Sequence, residues 1–198
     1  MKILLAEDQA MVRTALASLL RLDGEYDVDE AADGNEAINS LEENTYDLLL
    51  TDIEMPHRTG IDLVHWVKAN APSTKTVIIT TFNRSGYVNR AVQAGVDGFL
   101  LKDAPVEQLM QSLTAILAGK RVIDSELLLN SFNQIDPLTE KERKALRLAA
   151  DGLATSAIAK QLFIAEGTAR NYLSEAIAKV GAKNRVEAAR IAQLKGWL

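Results

Sequence analysis

Glu7 and Asp8 stand side by side after a short apolar run at residues 2–6, and Asp52 follows a second run at 47–51. Thr80 closes a third run and Lys102 a fourth. Clustered carboxylates repel one another and stay ionised only beside a cation. Mg²⁺ is the natural one, because it prefers roughly octahedral oxygen ligands and takes one or two carboxylates together with water and phosphate oxygens. Asp8 and Asp52 are candidate direct ligands, Glu7 a ligand through water, and the carbonyl of Glu54 a third protein oxygen. Asp52 could then attack a phosphoryl donor and become an aspartyl phosphate. Such a transfer asks the protein for positioning and charge neutralisation, which Mg²⁺, the Lys102 ammonium and the Thr80 hydroxyl could supply.

These side chains must be brought together by elements far apart in the chain. Strand-length runs rich in Leu, Ile and Val occur at residues 2–6, 26–31, 47–51, 76–81 and 98–101. Between them lie segments with helical spacing: Met11, Ala15, Leu16, Leu19 and Leu20, then Ala37, Ile38 and Leu41, then Ile61, Leu63, Val64 and Val67. Two more follow at Val88, Ala91 and Val92 and at Leu109, Leu113, Ile116 and Leu117. Five strands alternating with five helices predict a parallel sheet with helices on both faces, an α/β doubly wound fold. Ligands of such sheets bind at the carboxyl ends of the strands, where Glu7, Asp8, Asp52, Thr80 and Lys102 all fall. Asp8 alone could equally be a helix N-cap. Lys102 and Asp52 share no capping role.

The 198 residues suffice for one large domain or two modest ones, and 47% of them are hydrophobic. The absence of cysteine rules out a disulfide framework, a thiolate zinc site and a thiol nucleophile, and a reducing cytosol fits best. The N-terminus reaches two carboxylates after a very short apolar stretch, unlike a signal peptide, and no apolar run is long enough to span a bilayer. A cytoplasmic protein without membrane insertion is expected. Residues 1–137 hold 11 Lys/Arg against 21 Asp/Glu, whereas residues 138–198 hold 11 against 6. An acidic front and a basic back suggest two domains with different partners, nucleic acid being a candidate for the second.

After Asp136-Pro137 the pattern turns to helices alone. Residues 125–132 form a short connector helix in this reading. Thr139 with Glu142 is a capping-box signature opening a helix that stops near Gly152. A short helix from Thr155, a turn at 163–165, a longer helix from Glu166 to about Val180 ended by Gly181, and a last helix over about 184–194 follow. Two helices joined by a tight turn, the second basic, suggest helix-turn-helix DNA binding. On the longer helix Arg170, Asn171 and Ser174 share a side near the first turns, and Arg and Asn are the side chains that pair with guanine and adenine. Thr168, Lys179, Lys183 and Arg185 are candidates for phosphate contacts, although Lys179 and Lys183 also fit a solvated helix end. Tyr172 could pack inward or touch a phosphate.

Glu7-Asp8, Asp52 followed by Met55-Pro56 and Gly60, Thr80, and Gly98-Phe99-Leu100-Leu101-Lys102 together resemble the flavodoxin-like receiver domain of a bacterial two-component response regulator. Leu138 to Arg143, Gly152-Leu153, Ile158 to Leu162, Glu166-Gly167-Thr168 and Asn184 to Ala189 closely resemble the NarL/FixJ (LuxR-type) output domain. The resemblance implies a receiver over 1–120, a linker over 121–137 and a DNA-binding domain over 138–198. It implies that Asp52 is the phosphoacceptor, that Glu7, Asp8, Asp52 and the Glu54 carbonyl hold Mg²⁺, and that Glu54 tunes dephosphorylation. Thr80 and Phe99 would be the switch pair and Lys102 the partner of the phosphate; read without the resemblance, Phe99 is ordinary core. A sensor histidine kinase, promoter DNA and a homodimer formed on phosphorylation are the implied partners. Asp103 and Ala104 separate Lys102 from Pro105, where many receivers have no intervening residue. Ala169 and Tyr172 stand where the family usually has Val and His, so no target sequence carries over. The segment from Phe82 to Tyr87, with Arg170-Asn171-Tyr172, resembles DesR-like regulators, which act beneath membrane-sensing kinases.

Two other classes compete with a phosphorylation-controlled regulator. One is a constitutive DNA-binding protein whose receiver accepts no phosphate. The other is a phosphotransferase or phosphatase acting on a separate substrate. Haloacid-dehalogenase-type phosphatases place a second acid two residues after the nucleophile near the end of the first strand, whereas Asp8 is followed by Gln9-Ala10 and Asp52 by Ile53-Glu54. No nucleotide-binding glycine motif is present. The expectation is therefore a switch rather than an enzyme, with only self-phosphorylation and self-dephosphorylation as chemistry.

Overall fold

The computed structural model describes residues 1–22, 24–81, 84–123 and 136–198. The expected connector helix at 125–132 lies outside the described residues. The chain forms two compact units, the first α/β and the second helical.

In the first unit the strands are β1 (Lys2–Ala6), β2 (Asp27–Ala31), β3 (Leu48–Thr51), β4 (Lys75–Thr80), β5 (Gly98–Leu101) and β6 (Val122–Ile123). Their order is β2-β1-β3-β4-β5-β6, and every pairing is parallel. The expected five strands thus gain a sixth, whose two residues pair with Gly98 and Phe99. Two residues are too few to show alternation; the strand is defined by its pairing with β5, and beside it Arg121 Nε donates to Val96 O at 2.8 Å.

The helices are α1 (Ala10–Leu22), α2 (Gly34–Glu43), α3 (Gly60–Asn70), α4 (Ser85–Gln93) and α5 (Val106–Leu117). Alternate strand residues serve opposite faces of the sheet. Ile3, Leu5, Leu48, Leu50, Val77 and Ile79 pack against Ala17 and Leu20 of α1 and Leu109, Leu113 and Ile116 of α5. Leu4, Ala6 and Leu49 pack on the other face against Ala37, Ile38 and Leu41 of α2 and Leu63 and Val67 of α3. In α1 the core stripe runs through Leu16, Ala17 and Leu20, so Met11, expected on it, points to solvent at 86% exposure. The strand order reverses between β1 and β3, which places the ends of those two strands at the crevice of the fold.

The second unit contains α6 (Glu140–Ala150), α7 (Thr155–Gln161), α8 (Glu166–Val180) and α9 (Arg185–Leu194). Thr139 and Glu142 form the expected capping box, and Asn184 caps α9 by accepting from the Val186 and Glu187 N–H groups. Gly181 ends α8 at φ 74°, the left-handed conformation that glycine adopts without steric cost. Ala145, Leu146, Ile158, Ala169, Leu173, Ala176, Ala188 and Ala192 form the core of this unit together with Leu138 and Trp197. No described helix is long and apolar enough to cross a membrane.

Candidate functional site

Glu7, Asp8 and Asp52 each bring a carboxylate oxygen within 4.8 Å of the other two. β1 carries the first pair and β3 the third, and Asp52 N–H donates to Ala6 O at 2.9 Å, which fixes the two strand ends side by side. Glu7 and Asp52 are buried and Asp8 is exposed at the rim. Helix α1 starts at Ala10, so Asp8 is not the residue that immediately precedes it. Lys102, after β5, places Nζ 2.6 Å from Glu7 Oε2 and 3.1 Å from Asp52 Oδ1. Lys102 thus pairs with both buried carboxylates at once. The other Glu7 oxygen accepts from Gln9 N–H at 3.2 Å, and Arg13 donates to the Glu7 carbonyl at 2.6 Å. Gln9 and Arg13 escape sequence reasoning because both act through backbone groups.

Thr80 is buried at the end of β4, and its carbonyl accepts from Lys102 N–H at 2.9 Å, so hydroxyl and ammonium are anchored to adjacent strand ends. Phe99 is fully buried in β5 opposite Ile78, as a core residue. Glu54 is half-buried on the loop after Asp52. That loop is held by Gly60, whose N–H donates to Ile53 O at 3.0 Å. A Cβ on Gly60 would lie 2.0 Å from the Asp52 carbonyl oxygen, which explains why glycine stands there. Between Lys102 and α5 the chain turns with Ala104 N–H donating to Leu101 O at 3.2 Å, and Pro105 precedes the helix at φ −54°.

Burial pushes the Asp52 carboxyl up to about 6; Lys102 opposes the rise and Glu7 adds to it. One ammonium therefore faces two buried carboxylates with a third acid at the mouth. Three carboxylates that share one ammonium, in an all-oxygen donor set, fit a hard dication such as Mg²⁺.

In the helical unit α8 exposes Arg170, Asn171 and Ser174 on one side, and Thr168 is half-buried in its first turn. Arg170 pairs with Glu166 at 3.1 Å. Tyr172 is half-buried against the core, the inward of its two expected placements. Lys183 is exposed in the turn before α9. Arg185 is half-buried and donates to Leu153 O at 3.3 Å. Lys179, expected at a phosphate, is held by both oxygens of Glu142 at 2.7 and 2.8 Å. The capping box and Lys179 hold the Glu142 carboxyl below its ordinary range although burial works the other way. A pair formed 37 positions apart leaves no local signal in the sequence.

Residues 3–114 match the response regulator receiver domain, and residues 136–192 match the bacterial regulatory proteins of the luxR family. The chain belongs to the LuxR-type response regulators. This regulator is 42% identical over 198 residues to the transcriptional regulatory protein YvfU of Bacillus subtilis strain 168, covering 100% of this chain and 99% of that one. It is 40% identical over 196 residues to the transcriptional regulatory protein DesR of the same organism, covering 98% of each. RcsB from Salmonella enterica serovar Typhimurium, solved bound to promoter rprA with the phosphomimetic BeF3⁻, matches 98% of both chains with a TM-score of 0.75 at 25% identity. ChrA, the response regulator of a heme-sensing two-component system, matches with a TM-score of 0.57 at 32% identity, over 100% of this chain and 98% of its own.

Proposed function

We propose that this response regulator is a cytoplasmic switch in which phosphorylation of Asp52 controls binding of promoter DNA. The observation that carries the reading is the acid triad at the β1 and β3 ends facing the Lys102 ammonium. Glu7, Asp8, Asp52 and the Glu54 carbonyl would hold Mg²⁺, which when bound supplies positive charge between the carboxylates and the phosphoryl oxygens. A carboxylate oxygen of Asp52 attacks phosphorus; the P–N bond to the histidine of a sensor kinase breaks as the P–O bond forms, and the leaving imidazole takes up a proton. Lys102 sits beside the attacked group and neutralises the charge that arrives with it. Thr80, on the next strand end, supplies a hydroxyl to the phosphoryl oxygens, and its movement is coupled to that of Phe99 along β4 and β5. The receiver is residues 1–120, the linker 121–137 and the DNA-binding domain 138–198.

In the helical domain α8 enters the major groove. Arg170, Asn171 and Ser174 face the bases, and Thr168, Lys183 and Arg185 meet phosphates. Phosphorylation brings two copies together, so that two α8 helices reach half-sites about one DNA turn apart. The only chemistry of the protein is gain and loss of its own phosphoryl group. The test is a DNA-affinity titration of the purified chain with and without acetyl phosphate, alongside Asp52→Ala. The reading expects tighter binding on treatment of the unsubstituted chain and no change for the variant. Equal affinity in every arm would instead favour the constitutive regulator.

A further inference from the structure

Phe163 is 95% exposed and holds φ at 55°, in the left-handed region. It follows Leu162 at the end of α7, and the turn closes with Phe163 N–H donating to Lys160 O at 3.3 Å and Ile164 N–H to Ala159 O at 3.0 Å. This is the position where a helix end prefers glycine or asparagine, and a bulky aromatic is unfavourable there. The ring gives nothing back to the fold: Leu162 and Ile164 on either side pack against the core, and Phe163 does not. Other exposed apolar side chains sit in relaxed backbone; Phe163 combines exposure with a strained turn and no return in packing, which points to a role outside the domain.

The turn joins α7 to α8, so Phe163 stands three residues before the helix that carries Thr168, Arg170 and Asn171. Exposed Lys160 lies on the same turn. A cation and an apolar ring continuous with a base-reading helix suit the alternating phosphate and deoxyribose of a DNA strand. We infer that Phe163 is a DNA-contact residue whose ring packs on deoxyribose beside the groove entered by α8, a grip independent of base sequence. The inference rests on the DNA-binding reading of α8.

The test uses the full chain, treated with acetyl phosphate and Mg²⁺, and two substitutions, Phe163→Asn, which accepts the left-handed turn without the ring, and Phe163→Tyr, which keeps the ring. Binding to a mixed-sequence duplex of about two helical turns is followed by fluorescence anisotropy over a range of salt concentrations. Phe163→Asn should bind about five- to tenfold more weakly. Its salt slope should be unchanged, because no charge is lost, and its melting temperature should be equal or higher. Phe163→Tyr should bind like the unsubstituted chain. Unchanged affinity of Phe163→Asn overturns the inference; if transcription from a promoter falls nonetheless, the ring meets a protein instead. A lowered melting temperature of Phe163→Asn overturns it in favour of a structural role. No duplex binding by the unsubstituted chain overturns the DNA-binding reading itself and this inference with it.

Discussion

Lys102 Nζ lies 3.1 Å from Asp52 Oδ1, within ion-pair reach. The same ammonium is closer to Glu7 Oε2, at 2.6 Å, and so serves two buried carboxylates at once. Two buried carboxylates sharing one ammonium carry excess negative charge, which costs stability, and that excess is located where a cation would relieve it.

Removing one charge should therefore stabilise the resting protein. Asp52→Asn keeps the shape of the side chain and relieves its repulsion with Glu7, for a gain of about 1–3 kcal/mol without divalent cation. Mg²⁺ should raise the melting temperature of the unsubstituted chain and raise that of Asp52→Asn much less, because a ligand is gone. Thermal melts with EDTA and with Mg²⁺ check both statements.

Gly60→Ala should be severe for a residue with so small a change. The new methyl would meet the Asp52 carbonyl oxygen, a backbone atom that cannot rotate away. The loop after Asp52 must shift, and a loss of about 2–4 kcal/mol in urea unfolding is expected, within the range of overpacked and strained sites. Phosphoryl uptake should fall with it.

The helical domain should weaken in acid through Glu142. Its folded pKa lies below the ordinary value of 4.5, so its stabilising effect is complete above that value and is lost as pH falls through the folded one. Urea unfolding between pH 6 and pH 3 should show this loss, and Lys179→Met should flatten it. The same substitution should cost about 1 kcal/mol of stability at neutral pH, since the pair is only partly shielded from water.

Base reading and phosphate gripping should separate by salt. Arg170→Ala should lose about 1–3 kcal/mol on a specific site and relax its sequence preference, with little loss on random DNA. Lys183→Ala should weaken both and lower the slope of log affinity against log salt by about one. Titrations on specific and random duplexes at several salt concentrations distinguish the two.

Much of this was legible in the sequence because local chemistry agreed with the fold. Strand-length runs ending in Glu7, Asp52, Thr80 and Lys102 placed four side chains at one sheet edge, and Thr139-Glu142 and Gly181 marked helix ends. What escaped depends on long-range or backbone contacts. β6 exists through its pairing with β5, and Lys179 is committed to a carboxylate on another helix. Met11 shows the limit of periodicity: one position on a helix is a turn of about 100°, enough to move a residue from core to solvent.

The central claim is that Asp52 accepts a phosphoryl group in a cation-dependent site. Intact mass of the purified chain after acetyl phosphate and Mg²⁺, with Asp52→Ala and an EDTA control beside it, tests this directly. One added phosphoryl group, seen only with Mg²⁺ and only when Asp52 is present, is the predicted result. An adduct that persists in Asp52→Ala or in EDTA would contradict the account, and so would no adduct at all in the unsubstituted chain even when the reaction is quenched within seconds.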